Sequence, residues 1–447
     1  MTASDAVAAL PFLMLALGAA ATWTLGARVR ADPRTWSSLA SVIAIGAFAV
    51  ASLAGSGPDA LGGVLRRDTA SAFASALACL VASVLLVFQS RDSSPRTSGA
   101  SLLATSGAAL VATSGDTVVL GIGIGLIGLA SFALGAADER TRGRLVRAFS
   151  PAALLTVGAV LAFADVGSTR IGALGGTSSS AGTVGVGLMV AGLLACAAIV
   201  PLDGLAPRAP SRVSTLVATL VDLVARIAGF AALLRIAAAL SATGAFVADW
   251  RASIAIVAAI TVVVGSVAAM TETSLRRVLG SLATSQAGYM ATALTAGVAA
   301  GPSVAFALAT SAVLAVGGVA ALATLGDAPL RDLRGLARRR PYLVASLAVL
   351  LLGAAGVPPT AGFIARVYVF EIALGAQLAW LAILGSLASV LSTVAALRVV
   401  FACLGEGNGV PAGTRATRTA VAVTAAAVLL IGIFPAALLD AVGNVSF

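Results

Sequence analysis

Apolar runs long enough to cross a bilayer succeed one another along almost the whole of this 447-residue chain, and their repetition constrains the fold more than any single motif. A spanning helix takes about 20 apolar residues. On that ruler fourteen spans are expected, centred near residues 16, 46, 80, 106, 127, 157, 194, 226, 261, 289, 314, 350, 388 and 429. A bilayer offers no water to backbone N–H and C=O groups, so helices must satisfy them internally. The expected class is an all-α integral membrane protein, one polytopic domain over residues 1–447 with little outside the lipid. Hydrophobic residues at 59% against 10% charged agree, since soluble domains carry about a quarter charged residues.

All 28 basic residues are arginine; the chain has no lysine and no histidine. Most fall in alternate loops. Arg28, Arg30 and Arg34 come after the first span, Arg91 and Arg96 after the third, and Arg140, Arg142, Arg144 and Arg147 after the fifth. Later basic loops hold Arg276 and Arg277, then Arg331, Arg334, Arg338, Arg339 and Arg340, then Arg415 and Arg418. By the positive-inside rule this side is cytoplasmic, which puts both termini outside when there are fourteen spans. The N-terminus carries Asp5 rather than a basic n-region and leads into a full-length span, so the first span is expected to stay uncleaved. A net charge of +10 is then the signature of cytoplasmic membrane loops, and nucleic acid is not an expected partner. Cys79, Cys196 and Cys403 lie in or beside apolar spans and are odd in number, so neither a disulfide nor a metal framework is expected. Trp23, Trp36, Trp250 and Trp380 lie near expected span ends, where an interfacial belt would hold them. No haem, flavin or iron–sulfur site is expected in the chain.

Two spans are interrupted by proline in similar surroundings, Ala197-Ala198-Ile199-Val200-Pro201-Leu202-Asp203-Gly204 and Ala354-Ala355-Gly356-Val357-Pro358-Pro359-Thr360-Ala361-Gly362. Proline removes a backbone donor and clashes with the preceding turn, so each segment is expected to be a broken helix. A pair of broken helices in corresponding halves points to a transporter-type internal repeat with polar groups near the midplane. Two unrelated kinks remain the alternative, because proline is common in membrane helices.

The second of these segments, continued through Phe363-Ile364-Ala365-Arg366-Val367-Tyr368, resembles a helix of subunit N of bacterial respiratory complex I, the proton-translocating NADH-quinone oxidoreductase. Its Pro-Pro-Thr-Ala-Gly-Phe core is more similar to subunit N than to the sister subunits L and M or the Mrp-type antiporters. Asp332-Leu333-Arg334-Gly335-Leu336 resembles that subunit's preceding loop. Ser274-Leu275-Arg276-Arg277-Val278-Leu279, with Gln286-Ala287-Gly288-Tyr289, is similar to its Asn-x-Lys-Arg-Leu-Leu-x-Tyr-Ser-Ser-x-x-His-x-Gly-Tyr motif. The resemblance covers roughly residues 115–405.

It implies fourteen transmembrane helices and two inverted five-helix repeats, here residues 98–240 and 252–402, with helices seven and twelve broken near Pro201 and Pro358. It also implies a bacterial plasma-membrane location, other membrane-arm subunits as partners, and no catalytic centre in this chain. NADH, flavin, iron–sulfur clusters and quinone would belong to partner subunits. A purely structural bridging subunit, or a subunit of a Mrp-type cation/proton antiporter, stand as alternatives.

The family's proton path uses a glutamate on helix five, lysines on helices six, seven, eight and twelve, and a histidine after the Tyr-Ser-Ser run. This chain departs at each position. Gly125 falls at the glutamate, Arg147 at the lysine of helix six, Cys196 at that of helix seven, Gln286 at the histidine and Arg366 at the lysine of helix twelve. Asp203 takes the place of a histidine just after the first break. On helix eight the alignment places either Asp222 or Arg226 at the lysine; four apart, they share a helical face and should pair. That pair is either a neutralised structural anchor or a carboxylate carrier biased by its arginine. Glu371, five residues past Arg366, is a further titratable candidate. Arginine, with a pKa above about 12, holds its proton where lysine would release one. The expected path is therefore degenerate, and any conduction falls to Asp203, Asp222, Glu371 and water.

Overall fold

The computed structural model describes residues 3–443 and 445, apart from 30, 90–92, 136–140, 211–212, 242–246 and 408–412. Arg30, Arg91 and Arg140 of the basic loops lie outside the described residues. Each of the fourteen expected centres lies within an α-helix. Among the described residues nine helices are long and apolar enough to cross a bilayer, and three apolar helices are shorter. The chain divides into two compact units, residues 1–249 with 445–447, and residues 250–444.

The first unit contains α1 (Ala3–Arg28), α2 (Pro33–Ala54), α3 (Thr69–Phe88), α4 (Pro95–Thr113), α5 (Thr117–Ala133), α6 (Thr141–Val166), α7 (Ser180–Cys196) and α8 (Thr215–Ser241). Polar caps set several starts: Asp68 accepts from the Ser71 N–H, Asp116 from Val118, Ser179 from Gly182, and Ser94 forms a reciprocal capping box with Thr97. α4 packs against α1, α3, α5 and α8, and everything from Ser98 to Thr113 on it is buried. Its glycine, alanine, serine and threonine content explains that centrality. Helices in lipid gain little from hydrophobicity and associate through close backbone packing. At the crossing with α5, a Cβ placed on Gly107 would lie 2.5 Å from the Gly123 carbonyl oxygen, and one on Gly123 would lie 2.9 Å from that of Gly107.

The second unit contains α9 (Val247–Thr271), α10 (Leu275–Leu294), α11 (Gly301–Leu325), α12 (Leu336–Arg339), α13 (Pro341–Ala355), α14 (Ala361–Gly375), α15 (Ala379–Leu404), α16 (Arg415–Ile433) and α17 (Ala436–Gly443). Here α11 is the buried centre, touching α10, α13, α14, α16 and α17. Loop arginines pair at the unit's surface, Arg276 with Asp327, Arg277 with Glu272 and Arg338 with Glu406, each at 3.1 Å. Exposed pairs of this kind contribute little to stability. Trp36 and Trp250 are buried within the protein rather than facing a lipid belt, whereas Trp380 is exposed.

The two proline segments begin alike and then diverge. α7 ends with Ala198 in the left-handed region (φ 59°), its N–H donating to Ala195 and that of Ile199 donating to Leu194. α13 ends with Gly356 at φ 73°, the Gly356 N–H donating to Gly353 and that of Val357 to Leu352. Both are Schellman ends, and they lie 158 positions apart, Gly356 against Ala198 and Pro359 against Pro201. After Pro359 the chain resumes a helix, α14, from Thr360 as N-cap. After Pro201 it makes only the 3-10 turn Leu202–Leu205, so the expected second half of a broken helix is not formed there. The reason is local: Gly204, Pro207 and Pro210 come within the next nine residues, and proline donors are missing where a helix would need them.

The α4–α5 crossing predicts that Gly107→Val lowers the thermal stability of the detergent-purified protein, by about 1–3 kcal/mol as for overpacked cores. Gly125→Ala, with no atom within 4 Å of the added Cβ, is expected to change it little.

Candidate functional site

The end of α13 leaves main-chain groups that its own cap does not use. The Schellman bonds engage the carbonyls of Leu352 and Gly353, while those of Ala354 and Ala355 point onward into the second unit. Three side chains reach them. Arg366 Nη2 donates to the Ala354 oxygen at 2.9 Å, Gln286 Nε2 to the same oxygen at 3.4 Å, and Ser389 Oγ to that of Ala355 at 3.2 Å. Ser389 in turn accepts from Arg366 Nη1. A cation therefore sits on the negative end of the α13 dipole, where it is favoured.

Arg366 reaches this position by crossing Gly356. A Cβ there would come within 2.5 Å of the arginine's Cδ and Nε, and the positive φ independently favours glycine. At the corresponding position of α7 the left-handed residue is Ala198, which carries a Cβ. The guanidinium also lies over the Tyr289 ring, with Cζ 4.3 Å from the centroid. Tyr289 is fixed by donating from its hydroxyl to Gly385 at 2.7 Å and by an edge contact with Phe370. Arg366 is 5% exposed, and among the described residues no carboxylate pairs with it. Beside it lies a cavity of about 30 Å³ bordered by Gln286, Tyr289, Thr310, Ser311 and Arg366. Close by, Ser266 of α9 joins Ser285 of α10 and Ser392 of α15, each at 3.0 Å, in a fully buried hydroxyl cluster.

In the first unit α8 carries two ion pairs. Arg226 Nη2 donates to Asp222 Oδ2 at 3.1 Å, as the four-residue spacing predicts; the arginine is buried and the aspartate side chain 34% exposed. Nine residues on, Arg235 donates to both oxygens of Asp68 at 2.8 and 2.9 Å and to the Ala112 carbonyl at 2.8 Å. Asp222 and Arg226 are thus not the only charges held inside the unit by this helix. Asp68 acts twice, since it also caps α3.

The other expected positions lie apart from these networks. Asp203 sits in the turn after α7, paired with Arg208 at 3.4 Å and one-third exposed. Glu371 is exposed, its five-residue offset turning it away from Arg366 around α14. Arg147 is exposed in the second turn of α6, donating at 3.4 Å to Gly143. Cys196 is buried at the end of α7 as a small filler of the helix packing. Gly125 faces open space on α5, with room for a longer side chain. Among the described residues no group of three His, Cys, Asp or Glu converges as a metal-ligand set.

Sequence reasoning missed the Arg235–Asp68 pair, the serine cluster and the α13 carbonyls. Signals existed for the first two. Asp68 stands immediately before an apolar run, as an N-cap does, and Ser386, Ser389 and Ser392 recur at three-residue spacing along one face of α15.

A family described as NADH:quinone oxidoreductase/Mrp antiporter, TM, matches residues 116–392, more than half of the chain. NADH-quinone oxidoreductase subunit N of Cereibacter sphaeroides is 30% identical, with 97% of each chain covered. The subunit N of Trichlorobacter lovleyi is 31% identical over 64% of this chain and 62% of its own length. Among solved structures, a chain of respiratory complex I from Thermus thermophilus with bound aureothin superposes with a TM-score of 0.82 at 26% identity, covering 96% of this chain and 98% of that one.

The geometry makes two predictions. Asp68→Ser keeps the α3 cap but strands the buried Arg235, and is expected to cost about 3 kcal/mol in detergent unfolding, most of it regained when Arg235→Met is added. Gly356→Ala is expected to destabilise the protein by more than the roughly 1 kcal/mol of left-handed strain alone, because Arg366 must move; Ala198→Gly, measured alongside, should be neutral or stabilising.

Proposed function

The chain belongs to the NADH:quinone oxidoreductase/Mrp antiporter transmembrane family, and from that membership we propose that it is the antiporter-like, subunit N-type component of the membrane arm of a complex I-type NADH-quinone oxidoreductase. The end-to-end match to a subunit N relative supports this over a Mrp-type antiporter, as does the Pro358-Pro359-Thr360-Ala361-Gly362-Phe363 run. Its partners are the neighbouring membrane-arm subunits and the lipid. NADH, flavin, iron–sulfur clusters and quinone belong to other subunits, and this chain carries no catalytic centre of its own. Fourteen spans with both termini outside the cytoplasm accord with the alternation of arginine-bearing loops. Two inverted five-helix repeats, residues 98–240 and 252–402, accord with the matched Schellman ends 158 positions apart.

Within that assembly the chain's own proton path is degenerate and the subunit serves mainly as a charged structural bridge. One observation carries this reading. At the helix-twelve position Arg366 is held by the α13 carbonyls, Ser389 and the Tyr289 face, with no carboxylate beside it among the described residues. A lysine so placed can be pushed between charged and neutral forms by burial and a moving counter-charge. A guanidinium cannot, because it keeps its proton throughout. Proton translocation by the complex would then rest on the sister subunits. A second reading, conduction through Asp222 and water, is favoured by one feature: the Asp222 carboxylate is one-third exposed while its Arg226 partner is buried.

The two readings separate in reconstituted complex. On the first, Asp222→Asn and Glu371→Gln leave the proton-to-electron ratio unchanged, measured by proton uptake per NADH oxidised; a fall in that ratio with either variant would overturn it. Mild-detergent purification is expected to bring peripheral flavin and iron–sulfur subunits with the chain, and recovery with small antiporter subunits alone would sink the complex I assignment.

A further inference from the structure

We propose that the cavity beside Arg366 binds a small monovalent anion of the chloride class. The guanidinium has five N–H donors. Its partners are the Ser389 hydroxyl and the Ala354 carbonyl, together with the Tyr289 ring. Donor capacity is therefore left on the side that borders the cavity. Thr310, which also lines the cavity, is 2% exposed, and its hydroxyl makes no hydrogen bond to the protein. Gln286, whose Nε2 already donates to Ala354, also lines the cavity, and Ser311 donates its proton to Leu308.

Charge decides between water and an anion as the occupant. The α13 dipole supplies roughly half an elementary charge near its end, and an aromatic face supplies less. An ionised group held in a low-dielectric interior without full compensation is strongly disfavoured. Water would satisfy the donors and leave that charge in place; a monovalent anion meets both demands. The size suits a small ion. About 30 Å³ exceeds the roughly 10–15 Å³ that one water needs, and Gly353, Gly362, Ala365 and Val369 complete the lining. This site neutralises the fixed cation without any titrating group, so the inference holds whether or not the chain works within a complex I-type assembly.

Thermal unfolding of the full-length purified chain, in chloride, bromide, sulfate and gluconate at matched ionic strength, tests it. Chloride and bromide are expected to raise the midpoint saturably by a few degrees over gluconate and sulfate, as binding to the folded state requires. Thr310→Val, which keeps shape and charge, should reduce that increment, and Arg366→Gln should abolish it. In crystals grown in bromide, an anomalous peak is expected between Arg366 and Thr310. Equal midpoints in all four salts, an increment that survives in Thr310→Val, or density there without an anomalous signal would each overturn the site. If Arg366→Gln fails to fold, Thr310→Val and the bromide peak decide.

Discussion

A helix that ends inside an apolar bundle leaves carbonyl oxygens that no water reaches, and each must find a donor on another side chain. The end of α13 shows how much of the second unit depends on that demand. Two carbonyls call in Arg366, Gln286 and Ser389 from three different helices. The arginine's route requires glycine at 356, and its charge selects an aromatic face at Tyr289. The first unit answers the same demand at helix starts, where Asp68 and Asp116 take up N–H groups while engaging Arg235 and Thr169. Polar chemistry inside both units is thus gathered at places where the backbone stops being a helix.

The helices themselves were legible because apolar length and charge-bearing loops are properties of contiguous sequence. So was the Asp222–Arg226 pair, whose spacing is fixed by one turn of α8. The break at Pro358 and Pro359 could be read because glycine and proline announce it; the failure of α7 to resume after Pro201 is set further on, by Pro207 and Pro210. The features that stayed hidden depend on chain direction after a turn. Glu371 carries the right chemistry, yet its register on α14 turns it to the surface, and Asp203 ends in the turn after α7, paired with Arg208. The Ser266, Ser285 and Ser392 cluster draws one hydroxyl from each of three helices, and the serine spacing along α15 points to only one of them.

A buried guanidinium is a fixed charge rather than a titrating one. Around Arg366 a main-chain carbonyl, a hydroxyl and a ring are arranged to hold it. Gly125 on α5 is unlike the packed glycines of the α4–α5 crossing, since nothing lies within 4 Å of a Cβ there.

The bidentate pair between Asp68 and Arg235 also sets an order of events during biosynthesis. Its two halves are 167 residues apart in the chain, which at about 5–20 residues per second separates their emergence from the ribosome by on the order of ten seconds or more. Through that interval Asp68 has its cap on α3 to hold it, while Arg235 arrives later with a partner already positioned. The contact that ties α8 to the start of α3 is therefore among the last of the first unit's polar links that the growing chain can make.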